Sequence, residues 1–254
     1  MLSLLAVVRP TLVSLATLSL ACTLQAQTLT VSAAASLTNA MQAIGQAYEK
    51  AHPGSQISFN FAASGPLLAQ IQQGAPVDVF ASADQETMNR AAASKLLADD
   101  TRVNFAQNTL VVIVPSGAAK TPQSLADLSG ADFKRIATGT PATVPVGRYT
   151  MEAVHKAGLA EALAPRWIFG ENVRQVLNYV ARGEVDAGFV YRTDALIEPG
   201  KTRIAFTAPT KTPVSYPIAA VAASKDGAGA RKFIDFVRSS SGSAILEKFG
   251  FSQP

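Results

Sequence analysis

Cysteine is all but missing from this chain: the one thiol, Cys22, lies near the amino end, so the rest has nothing to pair into a disulfide. Histidine is almost as scarce. His52 and His155 stand far apart with no cysteine near either, which falls short of the ligand count and spacing of a metal site. Basic residues are not grouped into blocks, and the aromatics are not interleaved with them, which disfavours nucleic-acid binding despite a net charge of +4. Long apolar runs are also lacking. The longest, Thr11 to Ala21, is too short to span a bilayer comfortably, and no later segment supplies a span.

That early run has a different meaning. MLSLLAVVRPTLVSLATLSLACTLQAQ carries one charge, Arg9, then the apolar stretch, then small and polar residues, the order of a secretory signal over residues 1–26 with maturation near Gln27. Loss of Arg9 would lower the net charge from +4 to +3. Lipid attachment at Cys22 is the weaker alternative, because Ser19-Leu20-Ala21 matches a lipoprotein cleavage site only loosely. A periplasmic location follows as the expectation.

The whole chain is 48% hydrophobic, and beyond the leader it alternates short β-branched runs with helical patterns, which predicts α/β units with a largely parallel sheet. Leu29–Ala33 leads to a helix with Leu37, Met41, Ile44 and Tyr48 on one face. Gln56–Phe61 leads to a helix bearing Leu67, Leu68 and Ile71, and Asp78–Ser82 to one that Asp84 can cap. Thr109–Val114 and Tyr216–Ala222 bracket a self-contained set: strand 135–138, helix 147–157, helix 173–182, strand 187–191. Residues 229–251 return to helix. The expected organisation is two lobes, residues 27–108 with 215–254 forming one and 109–214 the other, with a ligand cleft between them.

Two junctions carry the chemical signal. In AAASLTNA (33–40), Ser36 follows a strand among small residues and opens a helix, where free N–H groups and the positive dipole end favour an anion. FAASGPLLAQI (61–71) repeats the design with Ser64, Gly65 and Pro66. Either serine alone is explained as well by helix capping. Together they follow the first two strands of an α/β sheet and so share its carboxyl edge, where such sheets bind ligands.

These segments, with GAPVDVFASAD (74–84), TLVVIVP (109–115), VPVGRY (144–149), ENVRQVL (171–177), DAGFVYRTDA (186–195), SYPIAAV (215–221) and FGF (249–251), resemble in order and spacing the periplasmic molybdate-binding proteins of ABC importers. The resemblance covers essentially the whole mature chain. It implies a type II two-lobed solute-binding fold, each lobe a mostly parallel sheet flanked by helices, and capture of molybdate or tungstate for a membrane permease. It further implies a monomer without cofactor or covalent chemistry. The implied oxyanion contacts are Ser36 and Ser64 by hydroxyl and amide, Val146 and Val173 by backbone N–H, and Tyr191 by its phenol. Any metal is bound only as the oxyanion, through these same residues. The sequence departs from the family at Ala63, where another serine is common, and at Arg148, which is expected to face solvent or to reach the cleft mouth.

A fully deprotonated dianion only accepts hydrogen bonds, so a site without a carboxylate argues against phosphate, which keeps a proton near neutrality. Sulfate, also proton-free, remains the alternative ligand. A serine hydrolase is the competing class, but no G-x-S-x-G elbow occurs, and both histidines read as surface residues. The Gly-Lys-Thr of ALIEPGKT (195–202) precedes a strand rather than a helix, so it forms no phosphate loop.

Overall fold

The computed structural model describes residues 27–254, so the expected leader and Cys22 lie outside the described residues. The chain runs β1 (Gln27–Ala34), α1 (Thr38–Ala51), β2 (Ser55–Ala62), α2 (Ser64–Gln72), β3 (Val79–Ala81), α3 (Gln85–Ala93), β4 (Val103–Asn108) and β5 (Leu110–Pro115). It continues through β6 (Ile136–Gly139), α4 (Pro145–Lys156), α5 (Ala160–Leu163), β7 (Trp167–Gly170), α6 (Val173–Ala181), β8 (Ala187–Tyr191) and α7 (Arg192–Ala195). β9 (Thr202–Thr207), β10 (Val214–Ala220), α8 (Gly227–Arg238) and α9 (Ser240–Lys248) complete it.

Two five-stranded sheets result, in the orders β2-β1-β3-β10-β4 and β7-β6-β8-β5-β9. They share one plan: three parallel strands joined by helical crossovers, then two strands that add antiparallel. Each sheet is therefore mixed. Its crossover units are parallel as expected, whereas β10 in the first sheet and β5 in the second run against them, and the edge strands β4 and β9 pair antiparallel with β10 and β5. The chain passes from the first sheet to the second across Thr109 alone, and returns between Thr207 and Val214.

The cores follow from the residue pattern. All of Leu110–Val114 is buried, as expected of a β-branched run covered on both faces, with α6 packed against it. In the first sheet, Met41, Ile44 and Tyr48 of α1 pack on one face, where the Tyr48 ring meets Phe233 of α8 at 5.3 Å. Leu67, Leu68 and Ile71 of α2 cover the other face with Phe80 and Met88. Asp84 caps α3 as expected, accepting the Thr87 N–H at 3.1 Å.

Several expectations shift. The helix over 229–251 is two helices, broken where Ser239 ends one and caps the next. The expected strand 216–222 lies two residues earlier, with Val221 reduced to an isolated bridge to Leu97. Strands β4 and β7 had not been anticipated: VNFAQN is half polar, and WIFG is only four residues long. His52 is not a simple surface residue. Its ring stacks on Tyr48 at 4.2 Å and meets Phe236 edge-on, whereas His155 is exposed.

Candidate functional site

In both sheets the carboxyl ends of the parallel strands face the space between the sheets. β1 runs into a short 3₁₀ turn, Ala35–Leu37, that carries Ser36; β2 ends at Ala62, two residues before Ser64; β7 ends shortly before Val173; β8 ends on Tyr191. After β6 the chain crosses a loop and enters α4 at Pro145-Val146. Gly147 permits that path, because a Cβ there would overlap the carbonyl of Gly139.

These ends meet at one small concavity, lined by Ala35, Ser36, Ala63, Ala83, Val144, Pro145, Val146, Val173 and Tyr191. Four of the five residues implied by the resemblance line it, and no charged side chain does. The fifth, Ser64, adjoins two lining residues: it follows Ala63, and its Oγ accepts the Ala83 N–H at 3.0 Å.

Neither serine caps its helix. Ser36 precedes α1 and makes no capping bond; its Oγ lies 3.0 Å from the Tyr216 hydroxyl. Ser64 is the first residue of α2, whose N-cap is Ala63. The nearby backbone groups are then easy to account for. The Asn172 carboxamide accepts the N–H groups of Arg174 and Gln175, which leaves that of Val173 unused at the helix start. Val144 O accepts from Gly147 and Arg148, Pro145 has no N–H, and the Val146 amide is left in the first turn. Gly65 N–H donates across to Thr143 O at 3.0 Å, and Pro66 offers nothing, so the Ser64 amide is the free one at that junction.

Tyr191 is buried, and among the described residues its hydroxyl has no hydrogen-bond partner. Burial raises its pKa well above the ordinary value, with the neighbouring Tyr216 and Tyr149 adding to the effect, so the phenol keeps its proton. A buried O–H facing a cavity without an acceptor is costly unless something completes it. The arrangement is a set of donors converging without a carboxylate.

The two halves are held together in this conformation by polar bridges. Arg148 does not face solvent. It reaches from α4 to Asp84 of the first half, with Nη2 at 2.5 Å and Nε at 2.8 Å from Oδ2, and donates to Thr87 Oγ1 at 2.7 Å. On the other flank Arg174 pairs through Nε with Asp194 Oδ1 at 2.6 Å, while Nη1 donates to Asn39 Oδ1 at 2.8 Å and Nη2 to the Ser36 carbonyl at 3.3 Å. Sequence reasoning missed Arg174 and Asp194 although both lie in quoted motifs. Nothing in one chain's spacing tells a guanidinium that spans a cleft from one that faces water.

Asp194 is fully buried, and burial pushes its carboxyl up to about 6 against the opposing pull of Arg174. An acid whose folded pKa exceeds its ordinary 3.8 lends stability that is complete below that value and is lost as pH rises toward 6. Wild type is therefore expected to lose about 3 kcal/mol relative to Asp194→Asn over that interval. Urea unfolding of both proteins across the range checks it; a constant difference would contradict it.

Residues 29–252 match the family model described as bacterial extracellular solute-binding protein. The molybdate-binding protein of Haemophilus influenzae is 34% identical over 88% of this chain and 89% of its own length. Among solved structures, the periplasmic molybdate-binding protein of Azotobacter vinelandii superposes with a TM-score of 0.79 at 22% identity, covering 89% of this chain and 99% of that one. The sulfate-binding protein of Mycobacterium tuberculosis gives 0.80 at 17% identity, with 89% and 87% covered, so the fold alone does not choose the anion. Among the described residues no helix is long and apolar enough to cross a membrane. With two like-built sheets, a donor-lined cavity between them and a family match over nearly its whole described length, this chain belongs to the bacterial extracellular solute-binding proteins.

Proposed function

We propose that this protein captures a fully deprotonated tetrahedral oxyanion, molybdate or tungstate, and delivers it to the permease of an ABC importer. The observation that carries the reading is the cavity itself. Hydroxyls of Ser36, Ser64 and Tyr191 and amides of Ser36, Ser64, Val146 and Val173 supply donors from both halves, and no carboxylate lines the space. An acceptor-only dianion satisfies every such donor, whereas hydrogen phosphate would bring a proton that finds no acceptor. The molybdate-binding relative supports the choice of molybdate. Sulfate is the second reading, favoured by the same donor set, and separation from it rests on anion size: a smaller ion leaves a buried donor unmet, at about 1–3 kcal/mol each.

In this reading residues 1–26 direct export, and the mature chain works in the periplasm as a monomer that needs no cofactor. Closure of the two halves on the anion is the signal that the permease reads.

Thermal denaturation with four anions tests the proposal. At about 100 times Kd, molybdate and tungstate should each add about 2.7 kcal/mol, a rise in Tm of roughly 5–10 °C. Sulfate and phosphate at the same concentration should move Tm little. Equal shifts for all four anions would overturn the assignment to molybdate, and no shift with any would overturn oxyanion binding.

A further inference from the structure

We infer that Tyr216 and Asn108, neither of which lines the cavity, are positioning residues that turn the Ser36 hydroxyl into a hydrogen-bond donor and so make the site discriminate against anions that carry a proton. The inference rests on the oxyanion reading and deepens it.

Three side chains, Asn108, Tyr216 and Ser36, form a hydrogen-bonded chain whose direction is fixed. The Asn108 Oδ1 accepts the N–H of Thr109 at 2.9 Å, which fixes the amide so that its Nδ2 is the end turned to the other partners. That Nδ2 donates to Thr193 Oγ1 at 2.8 Å and to the Tyr216 hydroxyl at 3.3 Å. Tyr216 is completely buried, and burial raises its pKa well above the ordinary value, so its oxygen holds a proton while accepting from Asn108. The other partner of that hydroxyl is Ser36 Oγ at 3.0 Å. If Ser36 donated to Tyr216, the phenol would take in two donors and its own O–H would be left buried without an acceptor. The satisfied arrangement runs the other way, Asn108 to Tyr216 to Ser36, and leaves the Ser36 proton for the cavity that Ser36 lines.

Ser64 is set in the same sense by a separate device, because its oxygen accepts the Ala83 N–H and its proton is left over. Asn108 is also the last residue of β4, at the crossing between the two sheets, so the amide that sets the chain's direction sits at the joint.

Two variants test this with pairs of anions matched in charge and nearly in size: sulfate against hydrogen phosphate, and selenate against hydrogen arsenate, by competition calorimetry at mildly alkaline pH with molybdate as the reference ligand. Tyr216→Phe keeps the ring but removes the hydroxyl, freeing Ser36 to accept. Asn108→Asp keeps the shape and the bond from Thr109 but presents an acceptor to Tyr216, which reverses the chain and turns a Ser36 lone pair to the cavity. Both should weaken molybdate about tenfold. Both should also shrink the preference for the proton-free member of each pair about tenfold, Asn108→Asp the more strongly. The negative charge that Asn108→Asp introduces acts on both dianions alike and cancels in the ratio. Unchanged ratios in two folded variants would overturn the inference while leaving the oxyanion reading intact; wild type that binds none of these anions would overturn that reading instead.

Discussion

Gly65→Ala is expected to weaken molybdate binding at least about 100-fold while leaving both sheets folded. Gly65 N–H meets the Thr143 carbonyl of the opposite half at 3.0 Å, and a Cβ on Gly65 would overlap that same oxygen and crowd the Thr143 carbonyl carbon and Cα at 3.0 Å. Those are backbone atoms and cannot swing aside as a side-chain tip would. The backbone at Gly65 needs no special dihedral angle, so alanine is accommodated locally, and the clash arises only where the two halves close. Holding them apart withdraws Val146, Val173 and Tyr191 from an anion seated on the serines. Hydrogen bonds to a charged ligand contribute about 1.5–3 kcal/mol each, so losing two reaches the stated factor. Calorimetry gives the affinity, and small-angle scattering should show no contraction when molybdate is added. Wild-type affinity would mean that closure does not use this contact.

The second large effect is expected from Ser36→Ala combined with Ser64→Ala, which should abolish measurable binding. Each removes one charge-assisted hydrogen bond, together about 3–6 kcal/mol, or about two to four orders of magnitude in Kd. The double variant should keep its circular dichroism spectrum, because neither hydroxyl caps a helix. Some loss of stability accompanies it, since the Ala83 N–H that Ser64 accepts is left buried and unpaired. Retained binding would remove the serines from the site, and a chain that fails to fold would make their role structural.

Much of this was legible in the sequence because the signals are local. β-branched runs mark the strands, and Ser36 and Ser64 announce themselves by following strands in small-residue surroundings. Val146 and Val173 are a different matter. The contribution proposed for them is a backbone N–H fixed by helix position, which any residue but proline would supply, so only the resemblance named them. Tyr191 and Tyr216 both end or occupy β-branched strands and read as core; what separates them from ordinary core tyrosines is where their hydroxyls point, which spacing does not encode. Arg148 illustrates the same limit: its partner, Asp84, is 64 positions away in the other half. The antiparallel direction of β10 and β5 follows from where the chain crosses between the sheets, a connection that strand composition does not encode.

The interleaving of the two sheets also bears on how the chain comes to be folded. The five strands β5 to β9 are contiguous, from Leu110 to Thr207, so the second sheet needs nothing from the termini. The first sheet is different, for β10 sits between β3 and β4 and is delivered only after the whole insertion has been made. Its closure demands contacts of long sequence separation, the kind that form late. The half carrying Ser36 and Ser64 is therefore expected to complete its sheet after the other, when β10 enters its slot between β3 and β4.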